Sequence, residues 1–199
     1  AALLWASYEQ VGSTLSLFAD RFTDNNMFGN TFPSSWWQSV HALLIIFLAP
    51  VFAWLWISLA KKNKEPSIPL KFSFGLLFAG FSFLVLVPAA LFLSANAGSK
   101  VGVQWLLTVF FLQTLGELCL SPVGLSSMTK LAPPRIVGQM MGVWFLASSV
   151  GNFIGGQVGS LFEAFPLHQI FFTVFCFAGS MGLVMFLLRG RLAKLINGE

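Results

Sequence analysis

Charge is what this sequence has least of. Only 9% of its 199 residues are Asp, Glu, Lys or Arg, against about 25% in a soluble domain. Cysteine is scarce as well. Cys119 and Cys176 both fall in the middle of apolar runs, so they provide no disulfide framework, and their spacing matches no metal motif. No metal and no cofactor is expected, and none of the two histidines is paired with the other in sequence. The serines in the middle of the spans have no His or Lys at a helical neighbour position, which leaves a membrane-embedded enzyme without its nucleophile–base pair. Also missing are segments of about ten residues with strict alternation, the mark of a transmembrane barrel.

Long apolar runs are what the sequence does have. Residues are 56% hydrophobic, the mean hydropathy is +0.80, and runs of roughly 20 residues recur, the length that spans about 30 Å of hydrocarbon. Helices satisfy their own backbone groups where lipid offers no partner. The expected fold is therefore all-α and polytopic, a bundle of six transmembrane helices near 1–20, 36–60, 72–95, 102–130, 136–163 and 168–189. The chain starts inside an apolar run, Ala1-Ala2-Leu3-Leu4-Trp5, without initiator Met or signal peptide, so it reads as a portion of a longer polypeptide.

The sparse charges set an orientation. Nine basic residues (Lys61, Lys62, Lys64, Lys71, Lys130, Arg135, Arg189, Arg191 and Lys194) fall in alternate connections and the tail, and two, Arg21 and Lys100, fall on the other side. The positive-inside rule then puts the second and fourth loops and both ends of the segment in the cytoplasm, with the bundle in the plasma (cell inner) membrane. The net charge of +4 is thus a topology signal, and no nucleic-acid partner is expected.

The six segments differ in polarity. The third and sixth are almost uniformly apolar and are expected to face lipid. The others carry polar residues at helical spacing: Trp5, Glu9, Gly12, Ser13 and Ser16; Gln38 and His41; Gln113, Glu117 and Ser121; Trp144, Ser148 and Asn152. Each group of three helices runs from an acidic first member to an apolar third, a weak three-plus-three repeat of the kind found in secondary transporters. Gly151, Gly155 and Gly159 predict close approach of the fifth helix to a neighbour.

Two acids carry the functional expectation. An ionised side chain at the centre of a spanning helix costs about 2.5–3.5 kcal/mol on insertion scales, so Glu9 and Glu117 are expected to face a cavity, to be paired or to hold a proton. Every Lys and Arg is placed at or beyond a helix end, leaving the two acids without a basic partner inside the bundle. His41 is a hydrogen-bonding group with the capacity to titrate near neutral pH. Trp5 and Trp144 are expected to wall a pocket, Trp36, Trp37 and Trp105 to sit in an interfacial belt, and Trp54 and Trp56 to face lipid. Asp20 and Arg21, at the outer end of the first helix, are candidate outer-gate residues. Pro122, with Gly124 two residues on, marks the expected bend of the fourth helix.

The stretch Trp5-Ala-Ser-Tyr8-Glu9-Gln10-Val-Gly12-Ser13-Thr14 resembles the seventh-helix pattern of the proton-dependent oligopeptide transporters of the major facilitator superfamily. Gly116-Glu117-Leu-Cys-Leu-Ser121-Pro122-Val-Gly124-Leu-Ser resembles the tenth helix, and Met140-Met-Gly-Val-Trp144 the eleventh. The resemblance covers residues 1–199 and implies the C-terminal half, helices seven to twelve, of a twelve-helix transporter. It implies symport of di- and tripeptides with protons as the coupling ion, and as partners the lipid bilayer and an N-terminal six-helix half. Glu117 would hold the peptide amino terminus with Ser121 and Trp144 nearby. Trp5, His41 and Asn152 join them as candidate substrate contacts, and Glu9 is the candidate for proton coupling. Two departures from the pattern stand out: His41-Ala42 replaces a frequent Asn-Pro, and Tyr8 takes the place of a second acid that some members carry. A transporter of the same fold for another amine-bearing or nitrogenous solute is the alternative.

Overall fold

The structure is a computed structural model and describes residues 2–27, 30–96, 98–160 and 164–197. It is helical apart from a two-stranded hairpin, Asn26–Met27 with Asn30–Thr31. The helices are α1 (Ala2–Tyr8), α2 (Thr14–Arg21), α3 (Trp36–Lys61), α4 (Ile68–Ala95), α5 (Gln104–Leu131), α6 (Val137–Ser160) and α7 (Leu167–Asn197). By length and composition α3, α4, α5 and α7 are apolar enough to cross a membrane. The polar and glycine-rich α1–α2 stretch and α6 complete the six-segment order expected from the sequence. The predicted last residues of the fifth helix, 161–163, lie outside the described residues.

The first segment is not one helix. α1 gives way to a 3₁₀ turn at Glu9–Val11 and restarts at Thr14. Gly12 favours no helix, and Ser13 adopts φ −117°, ψ −91° while its Oγ donates to the Glu9 carbonyl at 3.0 Å, a side-chain bond that competes with the helical ladder. Gln10 anchors the break. It is 1% exposed, donates from Nε2 to the carbonyls of Gly155 (2.9 Å) and Ala6 (3.2 Å), and accepts from the Thr14 hydroxyl. The glycine series of α6 provides the seat: a methyl group at Gly155 would meet Glu9 Cβ at 2.6 Å and the Ala6 carbonyl at 2.9 Å.

α4 corrects the largest expectation. Far from facing lipid, it packs between α5 and α7, with Gly75, Ala79, Gly80, Phe83, Leu86, Ala89, Ala90 and Leu93 all buried. Lipid tails are as apolar as leucine, so a uniformly apolar helix does not reveal which of the two surrounds it. Its small residues decide the matter. α4 and α5 cross where a methyl at Gly116 would stand 2.8 Å from the Gly75 carbonyl oxygen, and Ser73 Oγ ties α4 to the Gly182 carbonyl of α7 at 2.7 Å. α3, by contrast, leaves Leu43, Ile46, Phe47, Val51, Trp54 and Ile57 exposed.

Two further expectations change. Trp37 is buried, stacks on Phe110 with ring centroids 6.5 Å apart, and donates from Nε1 to Asn25 Oδ1 at 3.0 Å; it is a core residue and not a belt residue. Lys71 lies in the first turn of α4 and not in a loop. It is 5% exposed, bonds Glu65 Oε1 at 2.5 Å and places its ammonium 4.6 Å from the centroid of the Trp56 ring. Trp56 is thereby half-buried under a cation. The two connections with few basic residues meet at one end of the bundle through the Thr23–Val101 bridge. Glu65, Lys71, Lys130 and Ala193 share a cavity of about 520 Å³ with Pro122.

Candidate functional site

The break in the first segment, the glycine seat on α6 and the α4–α5 crossing converge on one cleft. It encloses about 380 Å³ and is lined by Trp5, Tyr8, Glu9, Gly12, Gln38, His41, Ile45, Glu117 and Asn152. α1 and the 3₁₀ turn provide Trp5, Tyr8 and Glu9. α3 presents Gln38, His41 and Ile45, which share a face at intervals of three and four. Glu117 follows Gly116, the residue at which α5 presses on α4, and α6 contributes Asn152. The volume is within the range of small-molecule sites, about 300–1,000 Å³.

His41 Nε2 stands 3.6 Å from Glu117 Oε2, with the two side chains 14% and 22% exposed. That separation is ion-pair distance and too long for a hydrogen bond. Among the described residues neither atom has a hydrogen-bond partner. The expectation that nothing inside the bundle answers Glu117 is therefore corrected: an imidazole from α3 faces it. The sequence separates these residues by 76 positions (117 − 41), and only the packing of α3 on α5 brings them together. No Lys or Arg lines the cleft among the described residues.

Tyr8, which from the sequence is only a departure from a family pattern, lines the cleft as well. It is 7% exposed and its hydroxyl donates to the Gln113 carbonyl on α5. Its ring lies 5.9 Å from that of His41 and 6.1 Å from that of Trp5. A signal was available: it is the single tyrosine of the chain, three residues after Trp5 on the same helical face and next to Glu9.

The remaining candidates are distributed around the cleft. Trp5, Glu9, His41, Glu117 and Asn152 line it; Ser121 and Trp144 do not. Trp144 is 6% exposed, with the tip of its ring against Gly124 and its face edge-on to Phe72 at 6.4 Å. It forms the packed floor between α5 and α6. Ser121 Oγ is buried, and among the described residues it has no hydrogen-bond partner. Pro122 is exposed to the cavity at the end that holds Lys71 and Lys130, and α5 runs unbroken through Pro122 and Gly124. Asp20 and Arg21 end α2 outside the cleft, where Asp20 Oδ1 accepts from Ser34 Oγ at 3.0 Å.

Chemically, the cleft offers one carboxylate beside an imidazole, a second carboxylate one wall away, two amides and two aromatic walls. It suits a small solute that carries a cationic amine and amide groups.

Comparison with known proteins places the chain in a family. The family model described as PTR2, POT family, matches residues 1–176. The peptide transporter YePEPT of Yersinia enterocolitica is 46% identical over 170 residues, which cover 85% of this chain and 33% of the relative. A di-/tripeptide transporter of Lactococcus lactis subsp. cremoris is 33% identical over 201 residues, covering 99% and 40% respectively. A crystal structure of the peptide transporter POT in complex with sulfate superposes with a TM-score of 0.87 at 39% identity, over 98% of this chain and 38% of the other. The chain thus spans about a third to two-fifths of the length of the relatives it matches. The family match across most of the sequence and the shared all-helical transporter fold lead to one conclusion: the chain belongs to the POT family of membrane transporters.

Proposed function

We propose that this chain supplies the C-terminal half of the binding site and gates of a proton-coupled symporter of di- and tripeptides. The observation that carries the proposal is Glu117. It is a carboxylate on a membrane-spanning helix, open to a 380 Å³ cleft, with one oxygen lacking any hydrogen-bond partner among the described residues. A buried charge without partners is costly, and a peptide's terminal ammonium answers it with a charge-assisted hydrogen bond. Trp5 and Tyr8 wall the peptide, and Gln38 and Asn152 meet its amide groups. Glu9, on the 3₁₀ turn where the first segment breaks, serves as the proton-coupling carboxylate. A proton crossing a potential of 100 mV releases about 2.3 kcal/mol, enough to drive accumulation when its entry is tied to that of the peptide.

The exposed apolar faces of α3 and of α6 (Val143, Phe145, Leu146, Phe153) are covered in this reading by lipid and by an N-terminal half. Alternating access comes from rocking of the two halves about the cleft. Asp20 and Arg21 belong to the outer gate, while Pro122 and Gly124 lie at the inner end, where the 520 Å³ cavity gives α5 room to move.

The test is uptake into proteoliposomes containing the full-length transporter, under an inward proton gradient, with a panel of dipeptides, tripeptides, free amino acids and N-blocked dipeptides. Gradient-dependent accumulation of free-amine di- and tripeptides, each accompanied by proton entry, is expected. Peptide flux with no dependence on the gradient would remove the coupling, and indifference to every peptide in the panel would remove the substrate class.

A further inference from the structure

We infer that His41 is the resident counter-ion of Glu117, the cation that an incoming ammonium group displaces, so that filling this cleft expels a proton from the imidazole. The inference rests on Glu117 being the ammonium-binding carboxylate. It adds a consequence that the assignment alone does not contain: peptide binding at this half of the site competes with a proton held in the same chain.

The geometry is that of a pair waiting to be exchanged. Nε2 of His41 and Oε2 of Glu117 face each other at 3.6 Å, and neither has a hydrogen-bond partner among the described residues. The imidazole is kept in place by rings on two sides, Tyr8 at 5.9 Å and Phe110 at 6.2 Å between centroids. A held ring beside a carboxylate is a fixed electrostatic partner and not a surface side chain passing by. The distance leaves the contact weak enough to give way to a ligand, which can approach the carboxylate to about 2.8 Å.

The groups around the pair leave the role to His41. From α1 comes Tyr8, whose hydroxyl is committed to the Gln113 carbonyl. From the 3₁₀ turn comes Glu9, and from α5 Glu117 itself; Gln38 on α3 and Asn152 on α6 are neutral. Of the side chains that line the cleft among the described residues, only the imidazole is able to become positive.

The exchange balances. In the empty cleft the imidazolium faces the carboxylate. An ammonium ion enters and bonds to Glu117, the Nε2 proton of His41 passes to water, and the imidazole is left neutral. One positive charge enters and one leaves. Affinity for a free-amine ligand therefore rises about tenfold per pH unit while His41 is protonated and levels off above its titration, until the ligand's own ammonium group begins to lose its proton near pH 8. A ligand with a blocked amine brings no charge to exchange and shows no such slope.

The experiment is calorimetric titration of the full-length transporter with alanylalanine and with N-acetyl-alanylalanine. Measurements run from about pH 5 to about pH 7, the part of the histidine titration in which the ligand's own α-amino group, with a pKa of about 7.7–8.0, stays charged, in buffers of different ionisation enthalpy so that released protons are counted. For the unaltered protein the expected result is about one proton released per alanylalanine at the acid end and far less at the neutral end. In His41→Asn and His41→Gln the release at the acid end falls toward zero and the affinity profile flattens. A cooperative thermal unfolding transition in detergent within a few degrees of the parent's shows that these variants are folded.

Unchanged proton release and an unchanged slope in both variants would overturn the inference, since the exchanged proton would then sit on Glu117. If neither variant binds at the neutral end, the parent protein decides: no proton release at the acid end overturns it equally. Failure of the underlying assignment has a different signature. The parent protein would then bind both ligands equally well at about pH 7, where alanylalanine still carries its ammonium group.

Discussion

Two charged side chains on the spanning helices of this molecule, one buried and one half-buried, have been handled in opposite ways. Lys71, at the end of the bundle near Pro122, is 5% exposed and completely answered: a carboxylate at 2.5 Å and the face of Trp56 at 4.6 Å. Glu117, in the cleft, faces an imidazole at 3.6 Å and keeps an oxygen free of hydrogen bonds among the described residues. Both sit on helices long and apolar enough to cross a membrane, so the cost of burial is of the same kind. The difference lies in where the compensation comes from. Charges whose partners all belong to the chain, held at bonding distance, stabilise the fold. A charge that faces only a titratable imidazole, beyond hydrogen-bond distance, is left able to take a stronger partner.

The comparison can be broken from either side. The largest effect is expected at the cleft's second acid: Glu9→Gln abolishes proton-driven accumulation while counterflow exchange of labelled peptide partly survives. Intact accumulation in a proteoliposome assay would take the coupling role away from Glu9. Next comes the seat that positions it. In Gly155→Leu, a side chain is forced onto Glu9 Cβ and the Ala6 carbonyl; overpacking costs about 1–3 kcal/mol or more, seen as a lower melting temperature in detergent and weaker peptide binding together.

Lys71→Met separates the two kinds of charge. Removing one member of a buried pair costs about 3–5 kcal/mol when the survivor stays buried. Glu65 is 45% exposed and regains water, so a loss of about 1–2 kcal/mol is expected, with peptide affinity unchanged. A large drop in affinity without loss of stability would place Lys71 among functional residues. Tyr8→Phe gives the smallest change. It removes the hydroxyl that bonds the Gln113 carbonyl and is expected to cost about 0.5–1.5 kcal/mol of stability while leaving the aromatic wall against His41 in place.

These predictions draw unevenly on the sequence. Glu9 and Glu117 were legible, because an acid in an apolar run is rare enough to stand out on its own, and so was the tight packing of Gly151, Gly155 and Gly159 on a neighbouring helix. The pairing of His41 with Glu117 was not, since it depends on how α3 crosses α5, and no local pattern encodes that crossing. Lys71 was misread because the helix starts at Ile68, four residues before the predicted 72; a lysine there looks like loop charge until its stem is found buried. α4 was misplaced for a more general reason. In lipid, apolar composition describes both a core helix and an outer one, and only small residues such as Gly75 and Gly80, which make close contacts, distinguish them. Trp144 shows the reverse error: a tryptophan on a polar stripe turned out to fill the space above Gly124.

The central claim is that Glu117 is the open charge to which a ligand ammonium binds, and it is tested most directly by the selectivity of Glu117→Gln. The measurement is the ratio of affinities for alanylalanine and N-acetyl-alanylalanine in the full-length transporter at about pH 7, where alanylalanine keeps its ammonium group. The account predicts that the preference for the free amine, worth about 1.5–3 kcal/mol for a hydrogen bond to a charged group, or roughly 10- to 150-fold, collapses toward one in the variant while binding of the blocked peptide changes little. A variant that retains the full preference for the free amine would contradict it.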